Sequence, residues 1–170
     1  DGSNVIELCV VLMKNGLGTN YLFHDVQIGT EIKFKGPSGA FYLPDKITSD
    51  LVMICTGTGI APFRSMINDI INNKKPFRKI HLIFGARYKE DILYYDEFSK
   101  IAADHKDFKY DVCLSREEDW EGYKGYVHQV YMEKYVEGVK DTKFYICGWS
   151  QMIDDAVANL LLKKKIDKTN

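Results

Sequence analysis

The sequence predicts an α/β fold: a doubly wound parallel sheet with helices on both faces, preceded by the end of a β domain. Three observations carry this. From about residue 50 onward, short apolar runs alternate with helix-like segments, the pattern that builds a parallel sheet covered on both faces. The first of those runs, Leu51-Val52-Met53-Ile54-Cys55, leads straight into Thr56-Gly57-Thr58-Gly59-Ile60-Ala61-Pro62, which reads as strand, glycine turn and helix start. Before residue 45 the pattern differs. An apolar run with β-branched residues at 5–13 and an alternating Glu31-Ile32-Lys33-Phe34-Lys35 both read as strands.

The elements follow in order. Between the two early strands lies Lys14-Asn15-Gly16-Leu17-Gly18-Thr19-Asn20, where Asn-Gly marks a turn and Thr19 is placed to cap a short helix. Gly36-Pro37-Ser38-Gly39 breaks the second strand. About forty residues is too little chain for a core of its own, so this part reads as the end of a β domain that begins outside the chain. The second part holds four strand–helix units. Its strands are expected at 51–55, 79–84, 108–114 and 143–147, and its helices at 63–72, 94–104, 127–136 and 152–163. Lys163-Lys164-Lys165 reads as a solvated helix end, where cations suit the dipole.

Composition narrows the function. The 170 residues are 45% hydrophobic and 13% aromatic, enough for a packed core, and the formal net charge is −1. Interspersed charge of that kind argues against nucleic acid as the main partner, which would want a basic stripe. No apolar run reaches membrane-spanning length and no signal peptide opens the chain, so a cytoplasmic location is expected. Cys9, Cys55, Cys113 and Cys147 form no Cys-x-x-Cys pair, and His24, His81, His105 and His128 show no ligand spacing, so no metal site is expected. The cysteines read as small core residues of a reduced protein, His81 as a strand residue and His105 as solvated.

In a doubly wound sheet, ligands bind beyond the carboxyl ends of the strands, so the residues after each strand matter most. After the first strand, Gly57 and Gly59 let the backbone turn tightly, and Pro62 suits the first turn of a helix. The free N–H groups of that helix end favour an anion, typically a diphosphate. The turn is not a Rossmann fingerprint, because Pro62 holds the third glycine position, and no Gly-Lys-Ser/Thr follows to make a Walker loop. After the second strand stand Gly85-Ala86-Arg87. After the third stand Ser115-Arg116-Glu117, then Trp120 and Gly125-Tyr126. After the fourth stands Cys147-Gly148-Trp149-Ser150-Gln151-Met152.

These segments together resemble the ferredoxin–NADP(+) reductase superfamily. Thr-Gly-Thr-Gly-Ile-Ala-Pro-Phe-Arg-Ser (56–65) is similar to that family's pyrophosphate turn. Gly-x-Arg (85–87), Ser-Arg-Glu (115–117) and Cys-Gly-x-x-x-Met (147–152) are similar to its later segments, in its order. Gly-x-x-Thr (16–19) resembles its FAD-diphosphate segment and Gly-Pro-x-Gly-x-Phe (36–41) the end of its barrel. The resemblance implies that residues 1–45 are the C-terminal part of an antiparallel FAD-binding β barrel and residues 46–170 an NAD(P)-binding domain. Two departures stand out. The family's Arg-x-Tyr-Ser segment, which holds the flavin ring, would lie before Asp1, and residues 163–170 offer no clear counterpart of its last strand. The expectation is an N-terminally truncated chain.

The resemblance also implies roles. Thr56, Gly57, Thr58, Gly59 and Pro62 shape the pyrophosphate turn, and Arg87 reaches the diphosphate. Ser115 and Arg116 hold the adenosine 2′-phosphate, which suits NADPH, although Ser-Arg also occurs in NADH-using relatives. Tyr126 stacks on adenine. Cys147 places the nicotinamide carbon without acting as a nucleophile, Gly148 leaves room for a ring, and Met152 packs beside them with Trp149. Gly16, Leu17, Gly18 and Thr19 approach the FAD diphosphate. Each also has a plainer reading: a tight turn, a surface arginine, an ion-paired loop, a core cysteine. The implied function is a flavoprotein that passes a hydride from NADPH or NADH to FAD, then electrons to a small carrier such as ferredoxin or flavodoxin, or to an oxygenase component. The alternative is a nucleotide-binding or electron-transfer module of a larger assembly, without turnover of its own.

Overall fold

A computed structural model describes residues 4–36, 38–135, 137 and 139–167. Pro37, Val136 and the last three residues, which belong to the expected strand break, the expected helix at 127–136 and the C-terminal segment, lie outside them. The chain divides into two compact units between Leu43 and Pro44.

In the first unit the two expected strands are not formed among the described residues. Alternating apolar residues give a segment strand character, but a strand also needs a ladder. Val5, Ile6, Leu8, Val11, Met13 and Phe34 are exposed instead of covering a core. The regular element here is α1 (Leu17–Asn20), followed by a wide turn over Tyr21–Asp25. Thr19 is not the cap of α1. Gly16 holds the N-cap position with no side-chain bond, and Thr19 lies inside the helix. Its hydroxyl turns back to accept the Met13 N–H at 3.2 Å and to reach the Gly16 carbonyl at 3.3 Å, as a helical threonine can.

The second unit is a five-stranded sheet: β1 (Asp50–Thr56), β2 (Ile80–Ala86), β3 (Phe108–Leu114), β4 (Tyr123–Lys124) and β5 (Thr142–Cys147), in the order β4-β3-β2-β1-β5. Every neighbouring pair is parallel. The chain steps outward from β1 to β2 and β3 through α2 (Ile60–Asn72) and α3 (Tyr95–Asp104). From β4 it returns through α4 (Val127–Lys134) to lay β5 on the other side of β1, and ends in α5 (Ser150–Ala158). The winding therefore reverses between β1 and β5, which makes the crevice above that pair the switch point of the sheet.

Strand alternation divides the core. Val52, Ile54, Ile83 and Cys113 pack against Val127, Val130 and Tyr131 of α4 and Ala156 of α5. The alternate residues Leu51, Met53 and Cys55 are equally buried and face the other way. On α2, Ile60, Phe63, Ile67 and Ile70 are buried, a helical stripe spaced by three and four. On α3, Phe98 stacks on Phe108 with centroids 6.4 Å apart.

Strand β4 was not anticipated. Two residues cannot show an alternation, and what holds them is the Gly125 N–H donated to the Leu114 carbonyl at 2.8 Å. The lysine run also departs from expectation. Lys164 is half-buried and donates to the Met132 carbonyl at 2.7 Å, satisfying an orphan acceptor in the last turn of α4. Lys165 pairs with Glu137.

One polar network crosses the α4 face. His81, only 6% exposed, meets the Asp111 carboxylate through Nε2 at 2.8 Å and the Tyr135 hydroxyl through Nδ1 at 2.6 Å. Lys109 sits 2.7 Å from the same carboxylate. Burial pushes the His81 pKa down, against the pull of Asp111. Burial would raise Asp111, but the bonds from His81 and Lys109 outweigh it and hold the carboxyl below its ordinary range. A histidine whose folded pKa lies below its unfolded value of about 6.5 takes up its proton more readily when unfolded. Its contribution to stability is present above that value and is lost as pH falls toward the folded pKa. We therefore expect the melting temperature to drop between pH 7.5 and about pH 5.5. His81→Gln should lower it at pH 7.5 and flatten its slope with pH, as read by thermal denaturation monitored by circular dichroism.

Candidate functional site

The site begins with the turn from β1 into α2. Gly57, Thr58 and Gly59 form a single tight helical turn before the 13-residue α2. Gly57 has φ +52, and a Cβ built there would meet nothing within 4 Å, so its outer side is open. The first N–H groups of such a turn have no partner within it. Neither Thr56 nor Gly59, in the capping positions of this turn and of α2, makes a side-chain cap, and no acidic residue lies in the first turn of α2. The end of α2 thus keeps its positive character for an anion. Pro62 is the third residue of α2, where no intrahelical donor is lost.

Across the crevice stands the tip of β5. Cys55 and Cys147 are register partners, and Cys147 is the last residue of β5. A Cβ on Gly59 would collide with the carbonyl of Cys147 and the Cα of Gly148, so backbone lies on backbone here. Gly148 has φ +149, and a Cβ on it would strike the Thr56 hydroxyl. That hydroxyl accepts the Trp149 N–H at 3.1 Å and ties the segment entering α5 to the end of β1. Thr56, expected to touch a cofactor, therefore also locks the crevice. Met152 packs close to Gly148, while Trp149 is exposed. Burial pushes the Cys147 thiol up, so it is mostly protonated at ordinary pH and reacts slowly there.

Further along the strand tips, β2 ends at Ala86 and β3 at Leu114. The Arg116 N–H donates to the Arg87 carbonyl at 3.0 Å, and the Ser115 N–H to the Ala86 carbonyl at 3.0 Å. Backbone bonds thus hold the two arginines on adjacent tips. Both side chains are exposed. Ser115 is half-buried, with its hydroxyl 3.4 Å from the Ala86 carbonyl. Tyr126 is exposed and stacks on His128 with centroids 5.7 Å apart.

Several residues that stand in the quoted motifs were given no role of their own from sequence. Gly85 lets α4 approach, since a Cβ there would press on Val127 and Thr56; a glycine late in an apolar strand is itself the signal for a close approach. The Glu117 carboxylate accepts the Lys89 N–H at 3.2 Å and holds the loop after β2. Arg64, a cation two residues beyond Pro62, is instead engaged with Glu97 at 2.8 Å and lies 4.3 Å over the Tyr94 ring. A cleft of about 670 Å³ lies elsewhere, along β3 between Tyr95, Ser99, Tyr110 and Trp120. It contains none of the residues expected to bind a dinucleotide.

In the first unit, Gly16, Leu17, Gly18 and Thr19 form one tight turn of chain. A Cβ on Gly16 would press on Thr19 and Met13, whereas Gly18 faces open space. Leu17 is exposed. The unexpected member is Asn20, whose side-chain amide donates to the carbonyls of Gly16 at 2.8 Å and Met13 at 3.0 Å.

A parallel sheet with an uncapped glycine turn at its switch point defines a dinucleotide-binding domain. The chain belongs to the oxidoreductase NAD-binding domain family, whose family model matches residues 53–158. The oxidoreductase FAD-binding domain model matches residues 1–42. FAD and a nicotinamide dinucleotide are thus the cofactors of its two parts. The reductase component of phenol 2-monooxygenase from Pseudomonas sp. (strain CF600) is 31% identical over 159 residues, covering 92% of this chain and 45% of the relative. One subunit of the Na(+)-translocating NADH-quinone reductase of Serratia proteamaculans (strain 568) is 32% identical over 161 residues, covering 91% and 39%. The chain spans less than half the length of these relatives. Among solved structures, the flavohem-like FAD/NAD-binding domain of nitric oxide dioxygenase from Vibrio cholerae O1 biovar El Tor matches with a TM-score of 0.76 at 20% identity, covering 90% of this chain and 61% of that one. A ferredoxin NADP+ reductase from Neisseria gonorrhoeae with bound FAD and NADP matches with a TM-score of 0.69 at 21% identity, covering 94% and 67%. No helix among the described residues is long and apolar enough to cross a membrane.

The Thr56 bond can be tested directly. Thr56→Val keeps the branched shape but leaves the exposed Trp149 N–H to water, and should lower the stability to unfolding in urea by about 0.5–1.5 kcal/mol. Thr56→Ser should recover most of that loss.

Proposed function

We propose that this chain is the flavin- and nicotinamide-binding part of an NAD(P)H-dependent flavoprotein reductase. In this reading a hydride passes from the nicotinamide to FAD, and electrons then pass to an acceptor. The observation that carries it is the uncapped glycine turn of β1–α2, set against the Cys147–Gly148 tip at the switch point. The matches to both oxidoreductase domain families support it. When bound, the flavin supplies the chemistry that divides a two-electron hydride into single electrons.

The chain's own residues bind and orient. The N–H groups of Gly57, Thr58 and Gly59, with the dipole of α2, hold the dinucleotide diphosphate, and Pro62 keeps that helix start in shape. Arg87 adds a mobile cation. Gly148 keeps the floor of the crevice low enough for a planar ring, Cys147 sets the position of that ring, and Met152 packs behind it. No general acid or base is needed, because a hydride transfer moves no proton to or from the protein; the gain comes from orientation. In the first unit, Leu17 and Gly18 offer backbone N–H groups to the FAD diphosphate, while the Gly16 N–H is donated to the Met13 carbonyl at 3.0 Å and shapes the turn. Thr19 and Asn20 hold the turn.

The dinucleotide is NADPH in this reading. Arg116 and Ser115 follow the tip of β3, their backbone N–H groups bonded to the tip of β2; a guanidinium beside a hydroxyl is a pair of residue types suited to a 2′-phosphate. Tyr126 offers a face to adenine. The electron acceptor is a small carrier protein such as ferredoxin or flavodoxin, or an oxygenase component. The phenol 2-monooxygenase relative is named as a reductase component, which supports the latter. A cytoplasmic location accords with such partners.

The test uses the full-length protein. It should carry a flavin band near 450 nm that bleaches on adding NADPH (roughly placed from general flavin chemistry). Arg116→Ala should cut kcat/KM for NADPH by about 10- to 100-fold, the worth of one charged hydrogen-bonded contact, and leave NADH nearly unchanged. Bleaching by NADH alone, with Arg116→Ala silent, would remove the NADPH assignment. No bleaching by either dinucleotide would remove the reductase reading.

A further inference from the structure

Cys55 and Cys147 are neighbours across the β1–β5 pair. They are register partners in parallel strands, so their side chains leave the sheet on the same face. Their Cα atoms lie one strand spacing apart, roughly 4.8 Å, inside the window of about 4.4–6.8 Å over which a disulfide closes. Both are free thiols. Cys55 is fully buried and Cys147 half-buried, so one is reachable from the crevice and the other waits behind it. The two sense each other: after burial, the Cys147 thiol is the next cause that pushes Cys55 up. Cys113 packs on the opposite face with Ile83 and Val130, and Cys9 belongs to the first unit.

We propose that Cys55 and Cys147 are a dithiol modification site, closed to a disulfide by a peroxide. The half-buried Cys147 reacts first. Its thiolate attacks one oxygen of hydrogen peroxide, the O–O bond breaks, and Cys147 becomes a sulfenic acid with release of one water. Cys55 then attacks the Cys147 sulfur, the S–O bond breaks, and a second water leaves with the thiol proton. In sum two thiols and one peroxide give one disulfide and two waters; each sulfur loses one electron and the peroxide gains two. A thiol one strand away traps the sulfenic acid before it advances to sulfinic acid. The reaction is slow at neutral pH, because burial keeps Cys147 protonated, and it quickens as the thiolate fraction grows. Closure takes the Cys147 sulfur away from the ring position beside Gly148. That consequence for turnover rests on the proposed reductase function; the pairing of the thiols does not.

The experiment treats the folded protein with hydrogen peroxide, blocks remaining thiols with N-ethylmaleimide and maps peptides without reduction by mass spectrometry. The expected product is one pair of peptides joined through Cys55 and Cys147, lighter by about 2 Da than the reduced pair and separated again by dithiothreitol. Cys9 and Cys113 should be recovered with maleimide attached once the chain is unfolded. The rate should rise roughly tenfold per pH unit below the thiol pKa. In Cys55→Ala the trap is gone, and Cys147 should instead gain about 32 Da as sulfinic acid. The proposal is overturned if wild-type Cys147 goes to sulfinic acid without a linked peptide, if it joins Cys9 or Cys113, or if both thiols survive peroxide that the unfolded chain consumes. A linked peptide in a protein that never oxidises NAD(P)H would uphold the pairing and count against the reductase; peroxide inactivation with no linked peptide would do the reverse.

Discussion

Backbone lies against backbone where the turn after β1 meets the end of β5. Gly59 has no room for a Cβ against the Cys147 carbonyl, and Gly148 has none against the Thr56 hydroxyl. That same hydroxyl holds the Trp149 N–H. The rest of the site depends on this closeness. It brings the start of α2 and the entry to α5, elements nearly a hundred residues apart in the chain, to the two lips of one crevice. A side chain in either glycine position would part those lips by more than a hydrogen bond can span, in a region where packing leaves little slack.

The sheet explains why the crevice is there. Strands β1, β2 and β3 are laid down in one direction and β5 in the other, so the connections from β1 and to β5 lie on different faces and leave a gap above their tips. The apolar interior on both faces keeps the tips in register, from the Leu51–Met53–Cys55 side to the Val52–Ile54 side. The site then needs few special residues: glycines where backbones touch, a helix start without a cap, and cations on the neighbouring tips. The cleft at Tyr95, Tyr110 and Trp120 owes its shape to aromatic packing around the edge of β3 and is not built of such residues.

Much of this architecture was legible in the sequence. The four long strands and their helices follow from apolar runs whose burial on both faces needs no alternation, and helix α2 from the Ile60, Phe63, Ile67, Ile70 stripe. Gly57 and Gly59 were legible as a turn and Gly148 as room for a ring, but not the Cys147 backbone against Gly59 or the Thr56 hydroxyl against Gly148, because each of those lies on another strand. Thr56 and Thr19 show the same limit of local reading. Each hydroxyl suggested a ligand or a cap, and each is bound to backbone that only the fold brings near. Strand β4 was too short to carry a period. The strands expected at 5–13 and 31–35 had the composition but form no ladder among the described residues, and composition cannot supply a partner. Lys164 read as a solvated cation, yet its long stem carries the ammonium to a helix end some thirty residues earlier.

The most direct test is an amide-resolved NMR titration of the protein with NADP+. Binding at the crevice should shift the amides of Gly57, Thr58, Gly59 and Gly148 first, with Ser115 and Arg116 following the adenosine end. It should leave those of Ser99, Trp120 and Gly122 in place. Shifts confined to Trp120, Gly122 and Tyr123, with the glycine turn silent, would contradict the account and move the nucleotide to the cleft beside β3.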